Sequence, residues 1–182
     1  REGSKYRWYR RIGYQHRAEY HPIRKIQRMS MRVIPIRGDG NCLFRSVSYC
    51  VFGTQDRHRE IRLRVVDRIV DNWQRYKDFI IGDLSYALNI HNASSYRSLM
   101  SRDGEYAGHV ELHCVSEIYG DYTFKVHRDG CSRTIDYGRG RCEKHLLFSG
   151  YLDAGHYSVL EYLITLHLYN HDIKSTFCTL YK

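Results

Sequence analysis

No apolar run in this 182-residue chain approaches the ~20 residues that a membrane-spanning helix needs. The first residues are basic and rich in Tyr and Trp, without the apolar core of a secretory signal. No contact with a membrane is therefore expected. Six cysteines would suffice for three disulfides in a secreted protein, yet none forms a Cys-x-x-Cys and no export signal accompanies them. Reduced thiols in a cytoplasmic setting are the expectation. Internal repeats and low-complexity segments are missing too. Residue 1 is Arg rather than Met, which raises the expectation of a processed product or a segment of a longer protein, such as a viral or mobile-element polyprotein. Net charge is absent from most of the chain, since residues 38–182 carry 18 Lys and Arg against 18 Asp and Glu.

The charge that is present lies in residues 1–37, where 11 Lys and Arg stand against 2 Asp and Glu and account for the whole net +9. Tyr6, Trp8, Tyr9, Tyr14 and Tyr20 are interleaved with arginines there, the ingredients of a nucleic-acid surface that binds phosphates and stacks bases. With no recognised nucleic-acid module beside them, a leader partly packed on the domain and otherwise solvated is the simpler expectation. A basic arm is thus expected over residues 1–31. One domain is expected over 32–182, with 42% hydrophobic and 14% aromatic residues across the chain and a length that supports one sizeable core.

Periodicity supplies the elements. An extended run, Val33-Ile34-Pro35-Ile36, leads into a glycine turn, and a helix over about 42–52 ends at Gly53. Thr54 is the expected cap of a second helix, with Ile61, Val65, Ile69 and Trp73 on one face and Val66 widening it. Arg57, Arg59, Arg64 and Arg68 read as its solvated side, and Phe79-Ile80-Ile81 as packing beneath its end. Ser94-Ser95 suggests a helix start, and His109 to Tyr119 reads as a further helix with Val110, Cys114 and Ile118 on one face. Strand-like alternation begins at Tyr122, with a hairpin-like turn at Arg128-Asp129-Gly130. More strand-like runs follow at about 132–137, 145–151 and 156–162. Helices first and strands later imply an α+β class, a sheet covered by helices. The tail, 163–182, reads as ordered without a decided element type.

The chemistry centres on Gly38-Asp39-Gly40-Asn41-Cys42-Leu43-Phe44-Arg45-Ser46. Two glycines permit a tight turn, while Asp39 and Asn41 are turn and cap residues. Cys42 lands in the first turn of the helix, where unpaired N–H groups and the helix dipole are expected to favour its thiolate. The same donors suit a developing oxyanion. A thiol nucleophile also needs a base, and of the eleven histidines His156 is best placed, after the turn Asp153-Ala154-Gly155 at the start of a late strand.

Asp39 to Ser46 closely resembles the nucleophile motif of the ovarian-tumour (OTU) family of cysteine proteases, which act as deubiquitinases. Gly155-His156-Tyr157-Ser158-Val159 resembles that family's closing His-Tyr-Asn-Ser-Val, and Tyr106-Ala107-Gly108 through Glu111-Leu112 resembles its Trp-Gly-Gly segment in softened form. The resemblance covers about residues 33–160 in the family's order. It implies a papain-type α+β fold with helices on a small, mostly antiparallel sheet. It also implies Cys42 as nucleophile, His156 as base, and Asp39 as the acidic residue of the oxyanion loop. Tyr106, Gly108 and Tyr157 would line a narrow channel for the two glycines that end ubiquitin. Ubiquitin and its chains are the implied partners of a monomeric enzyme that takes no cofactor, with a ubiquitin-like modifier as a further candidate substrate. One departure stands out: Ser158 occupies the place where the family often has Asn or Asp to orient the histidine. Asp153, or a residue of the arm, is the expected substitute. The contrasting reading is an OTU-like module that binds ubiquitin, or nucleic acid through its arm, with little catalysis.

Metal patterns fit less well. His109-Val-Glu-Leu-His113 has the histidine spacing of a metalloprotease helix with its glutamate one place too late, and the Pro-Cys-x-x-Cys of a zinc deaminase is missing. His127, Cys131, Cys142 and His145 have irregular spacing for a zinc module, so they are expected to be strand and turn residues and no metal is expected.

Overall fold

Eleven elements appear in a computed structural model that describes residues 24–81, 90–151, 155–170 and 173–181, and the side chains of 30–81, 90–151 and 155–163. Residues 1–23 of the arm expected over 1–31, which include its aromatic residues, lie outside the described residues. The chain folds as two units, one of Met31–Leu163 and a second formed by Arg1–Ser30 with Ile164–Lys182. The core and the site described below belong to the first.

β1 (Arg24–Ile34) is followed by α1 (Cys42–Phe52), which stops at Gly53 in a left-handed conformation with φ 73°, its N–H donating to Tyr49 O at 2.9 Å. α2 (His58–Asp71) begins later than Thr54 suggests. The Ser48 hydroxyl donates to Thr54 O at 2.5 Å and accepts from Arg57 N at 3.2 Å, which fixes residues 54–57 as a turn instead of a first helical turn. Ile61, Val65, Val66 and Ile69 are all 0% exposed, as their spacing predicts. Trp73 falls beyond a break at Asn72 and opens α3 (Trp73–Ile81). Of the run expected to pack beneath the helix end only Ile80 is buried; Phe79 is 66% exposed, because neighbours on a helix point about 100° apart.

α4 (Ala93–Met100) is closed by a reciprocal cap between Asn92 and Ser95, and α5 (His109–Ile118) starts at Gly108. The strands follow: β2 (Tyr122–Arg128), β3 (Ile135–Tyr137), β4 (Cys142–Ser149), β5 (His156–Asn170) and β6 (Ile173–Tyr181). Their order is β1-β5-β4-β2-β3, with β6 also pairing β5. The class is the expected α+β, with β2–β3 and β4–β5 antiparallel and β2 and β4 parallel from Tyr122↔Cys142 to Arg128↔Phe148. β3 occupies the other edge of β2, so the chain must cross the start of β2 to reach β4. Gly138 and Gly140 make that crossing possible: a Cβ on Gly138 would lie 2.7 Å from Tyr122 O, and one on Gly140 2.1 Å from Asp121 C. The core joins Leu43, Phe44 and Val47 of α1 to the α2 stripe, Leu112 and Val115 of α5, and Phe124, Leu146 and Val159 of the sheet.

Candidate active site

Asn41 precedes α1, and the first helical bond runs from Arg45 N to Asn41 O at 2.8 Å. The N–H groups ahead of it have no carbonyl one turn back to receive them. Those of Cys42 and Leu43 face the Cys42 sulfur, as does the backbone of Tyr157 on β5. Each of these contacts favours the thiolate. Burial opposes them and prevails: Cys42 is 3% exposed, and its pKa lies above the ordinary thiol value rather than below it as the helix start predicts. The dipole of a helix end acts on a charge that has first to be desolvated, and here desolvation is the larger effect. Asp39, a nearby negative charge, pushes the same way. Burial thus leaves the Cys42 thiol less acidic than a free cysteine.

His156 opens β5, opposite Ser149 of β4. Its ring lies against the nucleophile loop, where a Cβ built on Gly38 would sit 3.8 Å from Cε1 and 3.9 Å from Nδ1. Helix α1 is fastened to the same strand, since the Ser46 hydroxyl donates to Tyr157 O at 3.2 Å. Thiol and imidazole thus come from segments over a hundred residues apart, joined at one strand end. Strand alternation puts His156 and Ser158 on one face and turns Tyr157 and Val159 toward the core. Asp153, the expected substitute for the orienting residue, lies outside the described residues.

Both oxygens of Asp39 are engaged. Arg45 Nε donates to them at 3.1 and 3.0 Å, Arg45 Nη2 donates at 2.6 Å, and Asn41 N–H donates at 3.2 Å. The guanidinium, then the Asn41 N–H, hold this carboxyl far below the usual carboxylate range. Arg45 is itself buried, and its Nη1 donates to Gln55 O at 3.3 Å and meets His58 Nδ1 at 3.1 Å. The anion so held shapes the loop, and the Asn41 N–H is committed to it.

Tyr106 is half-buried and Ala107 is 2% exposed. The Gly108 N–H donates to Glu111 Oε2 at 2.8 Å, and Glu111 Oε1 accepts from Tyr96 O–H at 2.7 Å. A fully buried carboxylate thereby fixes the start of α5 beside residues 106–108. Tyr157 is 5% exposed, with its ring 5.0 Å from that of Phe148, so it backs the site from the core side.

Sequence reasoning passed over Arg62. It is 1% exposed in α2, amid the apolar stripe, and every oxygen it bonds is a carbonyl. Its position one residue after Ile61, and three and four before Val65 and Val66, was the available signal: a cation inside the apolar face instead of opposite it. The four residues weighed as zinc ligands do not assemble. His127 Nε2 and His145 Nδ1 meet at 3.0 Å across β2 and β4, but Cys131 and Cys142 are exposed. Among the described residues no group of three or more His, Cys, Asp or Glu is placed to hold a metal.

A family model described as "Vertnin, OTU domain" matches residues 33–134. The match takes in the nucleophile loop and residues 106–112, and it ends before His156. Among curated proteins the chain is similar to the OVARIAN TUMOR DOMAIN-containing deubiquitinating enzyme 7 of Arabidopsis thaliana, at 25% identity over 134 residues covering 74% of this chain and 34% of that one. It is also similar to OTU domain-containing protein 1 of Homo sapiens, at 31% identity over 96 residues covering 53% and 18%. The chain thus spans about a third or less of these relatives' length. Among solved structures, the OTU domain of OTUD1 superposes with a TM-score of 0.57 at 24% identity, covering 71% of this chain and 85% of that one. An OTU domain in complex with ubiquitin superposes with a TM-score of 0.58 at 16% identity, covering 84% and 76%.

Proposed function

We propose that this chain, which belongs to the ovarian-tumour (OTU) domain family, is a thiol isopeptidase that releases ubiquitin from its conjugates. The observation that carries the reading is the Cys42 sulfur, held at the N-terminus of α1 against the Tyr157 backbone, one residue from His156. Relatives whose names give them as deubiquitinating enzymes, and OTU structures bound to ubiquitin, support the substrate class.

In this reading His156 takes the Cys42 proton as the sulfur attacks the carbonyl carbon of the isopeptide bond after ubiquitin's last glycine. Burial disfavours the thiolate, so in this reading the sulfur relies on His156 as its base. The oxyanion is received by backbone N–H groups at the start of α1. His156 then gives its proton to the leaving lysine amine, and the C–N bond breaks. Water, deprotonated by His156, attacks the thioester, releasing the ubiquitin carboxylate and the thiol. Asp39, locked to Arg45, keeps the loop in shape, and Tyr106 and Gly108 narrow the approach to a tail without side chains, with Tyr157 behind them. The free thiols of the five described cysteines suit a reducing, cytoplasmic location. A ubiquitin-like modifier ending in two glycines fits the same description.

The test is cleavage of purified ubiquitin chains by the wild type and by Cys42→Ala. The wild type is expected to release ubiquitin and the variant to bind without turnover. One observation favours a second reading, a ubiquitin-binding module: Ser158 stands in the orienting position. A ubiquitin probe carrying a C-terminal electrophile separates the two, since covalent capture at Cys42 requires an activated sulfur.

A further inference from the structure

We infer that Arg62 is a positioning residue that holds the nucleophile loop in fixed register with the loop leading to Tyr106–Gly108, an inference that rests on the isopeptidase reading for its place in catalysis. The guanidinium joins three segments. Nη2 donates to Asn41 Oδ1 at 2.7 Å and to Gly40 O at 3.4 Å, both in the loop before Cys42. The same nitrogen donates to Glu105 O at 2.6 Å, the residue before Tyr106. Nη1 donates to Met100 O at 3.1 Å, at the end of α4, where a helix leaves its carbonyls unpaired. The plane lies over the Phe44 ring, 4.5 Å from its centroid.

Asn41 completes the link. Its Oδ1 also accepts from Gly104 N–H at 3.1 Å, so Arg62, Asn41 and Gly104 share one oxygen. Nε of Arg62 is buried with no hydrogen-bond partner. A side chain selected only to fill the core would not leave a cation there with one donor unspent, since an apolar residue of similar volume often serves the core as well or better. What Arg supplies and an apolar residue does not is a planar fork that reaches carbonyls on three segments at once.

The two loops have separate tasks in the proposed reaction. One carries the sulfur and the oxyanion donors; the other forms the approach for the glycine tail. Their spacing sets where the scissile carbonyl lies relative to Sγ, and misplacement by about 1 Å can cost on the order of 100-fold in rate. A shift between the two loops moves the scissile carbonyl off line without removing a contact to the tail, so kcat is expected to fall more than KM rises.

Arg62→Lys keeps the charge and the stem but cannot span the four acceptors on the three segments. The full chain carrying it is compared with wild type in ubiquitin-chain cleavage, thermal unfolding and amide hydrogen exchange. The expected result is kcat lower by at least about tenfold with KM within about twofold. Exchange at Gly104 and Asn41 is expected to quicken at least about tenfold while α2 amides keep their protection. Unchanged protection at Gly104 and Asn41, protection lost evenly along α2, or a loosened loop with undiminished kcat would each overturn the inference. A wild type that cleaves nothing refutes the isopeptidase reading instead, and the exchange pattern still decides whether Arg62 joins the loops. Should Arg62→Lys fail to fold, Arg62→Gln removes the buried cation and the fork while leaving Asn41 and Gly104 in place, with the same expected readouts.

Discussion

Gly40 and Gly104 meet backbone to backbone: a Cβ on Gly40 would stand 1.7 Å from the carbonyl oxygen of Gly104. Both have positive φ, 79° and 80°, a region that side chains rarely adopt. The loop that presents Cys42 is therefore seated on residues 103–105 so closely that only glycine fits.

Gly40→Ala is expected to combine backbone strain of about 1–3 kcal/mol with displacement of the loop, and to lower cleavage by on the order of 100-fold. Gly53→Ala is the matched control, because Gly53 also has positive φ, 73°, yet nothing lies within 4 Å of the added carbon. It should lose stability to strain alone and keep most of its turnover. Calorimetry and chain-cleavage rates on the two variants check this; equal activity in both would show that the Gly40–Gly104 contact has no part in catalysis.

Thiol labelling should depend on the size of the reagent. A small alkylating agent without ubiquitin is expected to modify the exposed Cys131 and Cys142 before Cys42, which is 3% exposed and whose pKa burial raises. Cys50 and Cys114, pushed up to about 12 and about 11 by burial, should react last. With a ubiquitin-based electrophile the order should invert and Cys42 alone should be captured. Peptide mapping by mass spectrometry after each treatment reads the order directly.

Asp39→Asn tests the ion pair with Arg45, whose side chain is 6% exposed against 32% for the carboxylate. Removing the anion leaves a buried cation partly unpaired. With some of the pair reached by water, a loss of about 1–3 kcal/mol near neutral pH is expected. The folded pKa of Asp39 is depressed, so its contribution is fully present above the unfolded value near pH 4 and fades as the pH falls below it. The stability gap between variant and wild type should therefore shrink with acidification below about pH 4. Denaturant titrations across that range check the trend; a gap that grows toward acid would contradict the assignment.

Ser158→Ala should change kcat/KM by less than about threefold, equivalent to under ~0.7 kcal/mol. Ser158 shares a strand face with His156 but no hydrogen bond joins the two side chains among the described residues. His156→Ala should lower the rate by on the order of 100-fold or more, the usual scale of a general base. If Ser158→Ala fell as far, the serine would be the orienting member that its side chain's chemistry makes the weaker choice.

The local features were legible because each is written within a few residues of itself. Gly53 ends α1, the stripe Ile61–Val65–Ile69 buries one side of α2, and Asp39 to Ser46 carries a loop and a helix start in one stretch. The order of Cys42 before His156 was equally readable, and so was the α+β class. Tertiary structure decided what depends on distant neighbours. The parallel pairing of β2 with β4 follows from β3 taking the other edge, and the lateness of α2 follows from Ser48 bonding Thr54 and Arg57. Burial, which no local pattern states, reversed the expected shift of the Cys42 thiol. It also gave Arg62 a place in the core that no nearby residue announces, because the carbonyls that receive it come from Gly40, Met100 and Glu105, far away in sequence and adjacent only once the chain has folded.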